Sequence, residues 1–344
     1  MTGSGGLPFV SVVIPARNEE HNIRTCIEGL HRLDYPKDRL EIIIADGLST
    51  DRTREIAESL GAIVVENPGL YVANGRHVGF ERSKGDYVAF SDADCVVDRG
   101  WIRDALKYFD DPTVGAVSGP TLVPPDETAF GRGAAWAFSI AVASGASCQA
   151  DAIARVREVR DMPGGNCICR REVIEQVMPL ATGLVASEDV EMNWRIRKNG
   201  WRLLRVPEFR VWHYKRPTPR RLARQIYRFG VTRCQCGKIS REMLGFWHWV
   251  MAAWIPLAVV VIAVLAIWLP TALIYLAAAA GAGLVALFVA AWIGTRSLPA
   301  ALNGVLAFLI LAVAWPAGFL HEVFFPARYF REHSVHDRRA RPGR

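Results

Sequence analysis

At 344 residues the chain exceeds the roughly 100 to 200 residues of one ordinary domain, which calls for a catalytic-sized domain plus an appendage. A composition 51% hydrophobic yet 22% charged excludes disorder, and it fits neither a uniformly soluble enzyme nor a chain made only of membrane helices. The two characters separate: from Phe246 to Phe325 the only formal charges are Arg296 and Glu322, and the net charge of +7 concentrates just before that stretch.

The first half alternates short β-rich runs with helical patterns, which predicts an α/β domain with a doubly wound, mostly parallel sheet. Val10 to Pro15 is the first strand, and Asn18 precedes a helix with Ile23, Cys26, Ile27 and Leu30 on one face. Leu40 to Ala45 is the second strand. Ser49 or Thr50 is placed to cap a helix bearing Ile56 and Leu60, which Gly61 ends. Ala62 to Val65, a helix near Tyr71 to Arg82, and a strand from Asp86 to Phe90 follow, and Asp98 is placed to cap a helix carrying Trp101 and Ile102.

Beyond Val114 the pattern turns irregular. Phe130 to Ala146 is apolar and small-residue rich but diluted by Gly and Ser, so a helix near the bilayer surface or the acceptor is preferred to a membrane crossing. Three runs then reach the roughly 20 apolar residues a crossing needs: Trp247 to Leu269, Thr271 to Ile293 and Ala300 to Phe325. The domain expectation is therefore 1–245 soluble, 246–325 membrane and 326–344 a basic tail. Three crossings would put Arg328, Arg331, Arg338, Arg339, Arg341 and Arg344 opposite the large domain, against the positive-inside rule. The last run, interrupted by Pro316, is the candidate for re-entering instead of crossing.

Residues 213–245 form a polybasic juxtamembrane segment, with Lys215, Arg216, Arg220, Arg221, Arg224, Arg228, Arg233, Lys238 and Arg241 opposed only by Glu242. Next to an apolar span, anionic membrane lipid or a lipid-linked phosphate is its expected partner, and nucleic acid is not. Seven cysteines without framework spacing, and an amino terminus without a signal-peptide pattern, predict a cytosolic large domain at the inner face of a cell membrane. The pairs Cys167/Cys169 and Cys234/Cys236 have spacings shorter than structural zinc sites favour, so buried thiols are expected.

The sharpest chemical signal is Phe90-Ser91-Asp92-Ala93-Asp94, an apolar strand running into two carboxylates. Ligands bind at the carboxyl ends of strands in open α/β sheets, and period-two alternation lets Asp92 and Asp94 address one ligand. Hard carboxylate oxygens suit Mn²⁺ or Mg²⁺ bridging a substrate's phosphates, against a plain surface turn. A glycosidase would use two carboxylates without metal or nucleotide, and a dinucleotide-binding dehydrogenase lacks its glycine fingerprint after the first strand. A non-catalytic membrane scaffold would leave the carboxylates dispensable.

The segments Val12-Val13-Ile14-Pro15-Ala16-Arg17-Asn18-Glu19-Glu20, Ile43-Ile44-Ala45-Asp46-Gly47-Leu48-Ser49-Thr50-Asp51, Asp92-Ala93-Asp94, Gly164-Gly165-Asn166 and Ser187-Glu188-Asp189 resemble, in order and spacing, the inverting family 2 glycosyltransferases of GT-A fold. With its terminal spans the chain is similar to bacterial exopolysaccharide (succinoglycan-type) enzymes. The resemblance implies transfer of a sugar from a nucleotide-sugar, a UDP-sugar first, to a lipid-linked or glycan acceptor, probed against the alternative of processive synthesis. Pro15, Ala16, Glu19, Asp46 and Arg76 would hold the nucleotide, Asp92 the ribose or sugar and the metal, Asp94 the metal, and Gly164 and Gly165 the donor sugar. Plain turns are the alternative for Asp46 and the glycines, and a solvated helix arginine for Arg76.

Glu188 and Asp189 match the family's acidic pair, whose aspartate is the general base. They also open a helical pattern, where the dipole keeps a carboxylate ionised and where capping alone would favour acids. His213, in Val211-Trp212-His213-Tyr214, would complete the metal site or touch the diphosphate, with an interfacial aromatic cluster as the alternative. Gln225-Ile226-Tyr227-Arg228-Phe229 resembles the Gln-x-x-Arg-Trp motif of processive synthases but ends in Phe229. Gln225 and Arg228, with Arg220, Arg221 and Arg224, are the residues expected on the acceptor or diphosphate side.

Overall fold

A computed structural model describes residues 6–140, 154–180, 184, 186–215 and 218–326. The strands are β1 (Val10–Ala16), β2 (Leu40–Asp46), β3 (Ile63–Glu66), β4 (Tyr87–Ser91), β5 (Cys95–Val97), β6 (Val114–Ser118), β7 (Thr121–Leu122), β8 (Arg157–Glu158), β9 (Asn166–Arg170), β10 (Arg202–Arg205) and β11 (Val211–His213). The helices are α1 (Ile23–His31), α2 (Thr53–Ser59), α3 (Val72–Arg82), α4 (Trp101–Leu106), α5 (Ala129–Ser139), α6 (Arg171–Val177), α7 (Glu188–Lys198), α8 (Pro219–Ile239), α9 (Phe246–Trp268), α10 (Ala272–Thr295) and α11 (Leu298–Phe324).

The chain divides into two compact units, one from the described residues of Met1–Leu122 and Asp151–His213, the other from those of Val123–Ala150 and Tyr214–Ala327. In the first, eight strands run in the order β3-β2-β1-β4-β9-β6-β10-β8. β1 pairs in parallel with β2 and β4, β2 with β3, and β6 with β10, giving the mostly parallel sheet that the alternating pattern predicts. β9 breaks the pattern by running antiparallel between β4 and β6. Helices cover both faces, so β1 is buried along nearly its whole length; Val12 and Ile14 join one core cluster and Val13 the other. A second sheet, β5-β11-β7, lies beyond the end of β4.

Two local expectations are corrected. Asp51, not Ser49 or Thr50, serves the start of α2, its Oδ1 accepting the Thr53 amide at 3.0 Å. Asp98 does not cap α4; it makes a short turn by accepting the Gly100 amide at 3.2 Å. Asn18 precedes α1 as expected, four residues before the capping position at Asn22; its φ is 56° and its side chain accepts the Thr50 amide at 2.8 Å. That bond laces the β1–α1 loop to the β2–α2 loop at the carboxyl edge of the sheet. Gly61, with φ of 78°, ends α2 as expected, in the left-handed conformation that glycine adopts without strain.

In the second unit, α5 begins where Thr128 caps it by accepting the Gly131 amide at 3.0 Å, and α8 where Thr218 accepts the Arg221 amide at 3.3 Å. The basic juxtamembrane segment is thus largely one helix of 21 residues. α9, α10 and α11, of 23, 24 and 27 residues, are each long and apolar enough to cross a membrane. α11 continues through Pro316 without a break, so the proline marks no re-entrant turn. α5 and α8, placed with the soluble domain by the sequence-based boundary at 245, pack with the apolar helices: Phe130, Ala134, Leu222 and Ile226 share one buried cluster with Met251, Leu311, Trp315 and Phe319. Residues 141–153, which include the end of the apolar Phe130 to Ala146 stretch and Cys148, lie outside the described residues, as does the basic tail beyond residue 326.

Candidate active site

The first unit gathers its carboxylates at the carboxyl edge of β1, β2 and β4. In-register pairing sets Ala16 beside Asp46, and the Gly47 amide donates to the Ala16 carbonyl at 2.8 Å. Asp46 is buried and accepts the Ser49 amide at 3.2 Å, so it shapes the β2–α2 turn. Glu19 is held between the Thr53 hydroxyl, which accepts its amide at 2.7 Å, and Asn22, which donates to its carboxylate at 2.7 Å. Pro15 contacts the α3 face at Gly75, where an added Cβ would lie 2.9 Å from the Pro15 ring.

Gly75 and Gly79 explain how an arginine reaches the interior. A side chain at either would collide with Pro15 or Val13, so α3 lies directly on β1 and delivers Arg76, 2% exposed, beneath the end of β4. There its Nη1 meets Glu188 at 2.5 Å, its Nη2 meets Asp92 at 3.5 Å, and its guanidinium lies 5.8 Å from the Phe90 ring centroid. Arg76 is therefore committed to two carboxylates rather than offered to solvent as a nucleotide-binding arginine would be.

Asp92 and Asp94 do not lie on extended strand as the alternation argument supposes; they occupy the turn between β4 and β5. The turn divides them. Asp92 faces Arg76, and Asp94 meets His213 Nε2 at 3.2 Å. His213 arrives there because β11 pairs antiparallel with β5, setting His213 opposite Cys95. Asp94, Cys95 and His213 bring one donor atom each within 4.8 Å of one another. Burial, reinforced by Asp94 and Asp92, pushes the Cys95 thiol far above its usual range, and a soft sulfur is a poor ligand for hard cations such as Mn²⁺ or Mg²⁺. An oxygen and an imidazole nitrogen remain, a donor pair that fits Mn²⁺ or Mg²⁺ completed by phosphate oxygens and water.

The acidic pair also splits. Glu188, first residue of α7, points inward to Arg76, and burial raises its carboxyl above the usual range while Arg76 opposes that shift and Asp189 adds to it. Partial desolvation raises Asp92 too, again against Arg76 and with Asp94 adding like charge, although 39% of its side chain stays exposed. Asp189 remains partly exposed, accepting the Gly164 amide at 3.2 Å and the Val190 amide at 2.9 Å. It is thereby fixed in the first turn of α7, its two oxygens held by backbone N–H groups.

Gly164 and Gly165 form the floor joining these groups. A Cβ on Gly164 would enter the Arg76 guanidinium, and one on Gly165 would enter the Asp92 carboxylate. The loop is anchored by residues that sequence reasoning passed over: Asn166 takes the Trp101 indole N–H at 2.9 Å and donates to the Pro120 and Phe209 carbonyls at 3.2 and 3.1 Å, and Asn193 donates to the Met162 carbonyl at 2.8 Å. Asn166 in the Gly164-Gly165-Asn166 triplet was the available signal. Gly165→Ala should displace Asp92 while these anchors keep the fold, lowering kcat/KM about tenfold or more with a melting midpoint near that of the parent. Steady-state kinetics beside a melting curve would check it, and an equal loss of midpoint and activity would count against a local effect.

Gln225, Arg228, Arg220, Arg221 and Arg224 belong to α8 of the second unit, where the four arginines are exposed and Gln225 is partly buried. Cys167 and Cys169 lie buried in β9, and Cys234 and Cys236 are buried in α8, matching the reading of enclosed thiols.

Residues 11–178 match the family model described as Glycosyl transferase family 2. Glycosyltransferase AglE of Haloferax volcanii is 28% identical over 264 residues, covering 73% of this chain and 82% of AglE. The dolichyl N-acetyl-alpha-D-glucosaminyl phosphate 3-beta-D-2,3-diacetamido-2,3-dideoxy-beta-D-glucuronosyltransferase of Methanococcus voltae is 23% identical over 239 residues, covering 65% of this chain and 73% of its own length. Among solved structures, mannosyltransferase PcManGT from Pyrobaculum calidifontis, in complex with GDP-Man and Mn²⁺, superposes with a TM-score of 0.60 at 23% identity over 89% of this chain and 86% of that one.

Proposed function

We propose, starting from a chain that carries a family 2 glycosyltransferase domain of GT-A fold and is a glycosyltransferase, that it moves a sugar from a UDP-sugar to a lipid-linked acceptor at the cytosolic face of a cell membrane, with inversion. The observation that carries this reading is the division of labour among the four carboxylates: Asp94 with His213, Asp92 and Glu188 on Arg76, and Asp189 alone at the start of α7. The lipid-linked acceptor is favoured by three long apolar helices in the same chain and by the dolichyl phosphate acceptor in the name of the Methanococcus voltae relative.

In this reading Asp94 and His213 would hold Mn²⁺ or Mg²⁺, which when bound neutralises charge on the departing diphosphate. Arg76 and Glu188 set the position of Asp92 against the donor. Asp189 accepts the proton of the acceptor hydroxyl as its oxygen bonds to the anomeric carbon, and the sugar–diphosphate bond breaks with its electron pair leaving on the nucleotide. Attack opposite the leaving group inverts the configuration. The exposed arginines of α8 would draw the anionic lipid or the acceptor's phosphate.

Donor binding by the purified full-length protein, measured across a panel of nucleotide-sugars with Mn²⁺ and with chelator, tests the reading. One nucleotide-sugar should bind in a metal-dependent way, and Asp94→Asn should raise the Mn²⁺ concentration for half-maximal binding by about tenfold or more, as loss of a ligand charge does. Equal donor binding in chelator and in Mn²⁺ would overturn the metal assignment. Binding of none of the panel would overturn the nucleotide-sugar reading.

A further inference from the structure

Three crossings conflict with the charge of the carboxyl-terminal tail, and the contacts of α11 within the second unit point to a different arrangement. At a rise of about 1.5 Å per residue, Gly304 lies about 9 Å and Phe319 about 32 Å from the start of α11. A third span antiparallel to α10 would climb along the α9–α10 pair over that distance. Its carboxyl-terminal half would then meet the far end of the pair, near Trp268 and Ala272.

The observed contacts do not climb. Gly304 faces Ala291, close to the end of α10, with 3.5 Å between the Ala291 methyl and an added Cβ. Further along α11, the Ala312 carbonyl accepts the Trp254 indole N–H at 2.9 Å, Trp315 stacks on His248 at 6.0 Å, and Phe319 meets Trp249 edge-on at 5.8 Å. Ala291, Trp254, His248 and Trp249 all lie within about 12 Å, by helical rise, of the same end of the α9–α10 pair. α11 therefore runs across the base of that pair. Most of residues 257–290 are left exposed, including Val260, Ile267, Ile274 and Val285.

The other side of α11 carries independent evidence. Its beginning packs on α5, where Gly133 fits against the Ala300 carbonyl and the Gly304 amide at 2.5 Å from an added Cβ. Its end packs on α8: Gly230 and Gly318 bring the two backbones together, Tyr227 bonds His321 at 2.5 Å, and Lys238 meets Glu322 at 2.6 Å. α8 bears the exposed Arg220, Arg221, Arg224 and Arg228, a helix that the hydrocarbon layer would reject. A helix fixed along α8 at one end and to the base of the α9–α10 pair along its length stays at the headgroup level.

We propose that α9 and α10 cross the membrane as a hairpin while α11, an apolar helix backed by α5 and α8, lies in the membrane surface. Its partner there is the lipid surface, with Leu302, Leu306, Leu309 and Val313 turned to the acyl chains and α5 and α8 packed behind it. Each of those four side chains is at least 41% exposed, which is the apolar stripe such a helix needs. Two crossings return the chain after Phe325 to the side of α8. The arginines from Arg328 onward then fall on the same side as the polybasic segment, as the positive-inside rule requires.

The test reads sidedness and is independent of transfer activity, so its failure would leave the proposed function standing. Arg221→Cys on α8, Thr271→Cys at the hairpin tip and Phe325→Cys at the end of α11 are each treated with a membrane-impermeant thiol reagent. Full-length protein is used in right-side-out and inverted vesicles, with the parent chain as blank for the native cysteines. The expected result is labelling of Arg221→Cys and Phe325→Cys from one side and of Thr271→Cys from the other. Labelling of Phe325→Cys from the side of Thr271→Cys would restore three crossings and overturn the proposal. Labelling of all three from one side would overturn the crossing hairpin.

Discussion

Asp189→Asn should cut sugar transfer by about a hundred- to ten-thousand-fold while donor binding stays near that of the parent, the range a positioned general base contributes. The substitution is nearly isosteric: the Gly164 amide binds Oδ2 at 3.2 Å and the Val190 amide Oδ1 at 2.9 Å, so the single oxygen of asparagine can keep the bond to Gly164 while the local one to Val190 is given up. The glycine loop should therefore keep its place over Arg76 and Asp92. What disappears is the capacity to take the acceptor's proton. Single-turnover transfer measured beside nucleotide-sugar binding separates the two effects, and comparable transfer rates in variant and parent would remove Asp189 from the role of base. The same substitution in Glu188 should behave differently, since Glu188 faces Arg76.

The sequence made the parallel half of the sheet readable because each strand from β1 to β4 is an apolar run bounded by turn or cap residues, and helical periodicity fills the gaps. β9 was not readable as antiparallel. Between Asn166 and Arg170 only Cys167, Ile168 and Cys169 are apolar, too short a run to read, and its direction depends on which neighbours it meets in the folded chain. β5, β7 and β11 are two or three residues long, below the length at which alternation says anything. Yet their pairing is what brings His213 to Asp94, so the candidate metal ligands were identifiable by residue type while their partnership was not.

The acidic residues show the same limit. Motif order singled out Asp92, Asp94, Glu188 and Asp189, but adjacency in sequence suggested two pairs acting together, and the fold separates each pair. A turn rotates Asp92 away from Asp94, and the first turn of α7 sends Glu188 inward while Asp189 stays at the rim. Arg76 read nearly as well as a solvated helix arginine because nothing in its own sequence names the carboxylates, distant along the chain, that it meets. The clue was Gly75 and Gly79 on either side, four residues apart on one face, which let α3 sit on β1 closely enough to bury what lies between.

Arg76→Met should destabilise the first unit by about 3–5 kcal/mol, the cost of leaving a buried carboxylate without its partner, and so lower its melting midpoint by roughly 6–20 °C. Most of that cost belongs to Glu188, since Asp92 is 39% exposed and solvent screens it. Methionine keeps the aliphatic stem but not the guanidinium that lies over Phe90, so some packing is lost together with the charge. The pH dependence distinguishes charge from packing. Burial already raises the Glu188 carboxyl, and Arg76 opposes that shift, so its removal lifts the folded-state value further above the unfolded one. A group with a raised folded-state pKa contributes its stability fully below the unfolded value, and that stability is lost as pH rises through the folded value. The midpoint deficit of Arg76→Met should accordingly be larger at about pH 8 than at about pH 5. Adding Glu188→Gln removes the stranded charge and should recover much of the deficit at the higher pH, a non-additivity expected of groups in direct contact. A deficit that is the same at both pH values, with no recovery in the double variant, would show Arg76 acting through its packing instead of its charge.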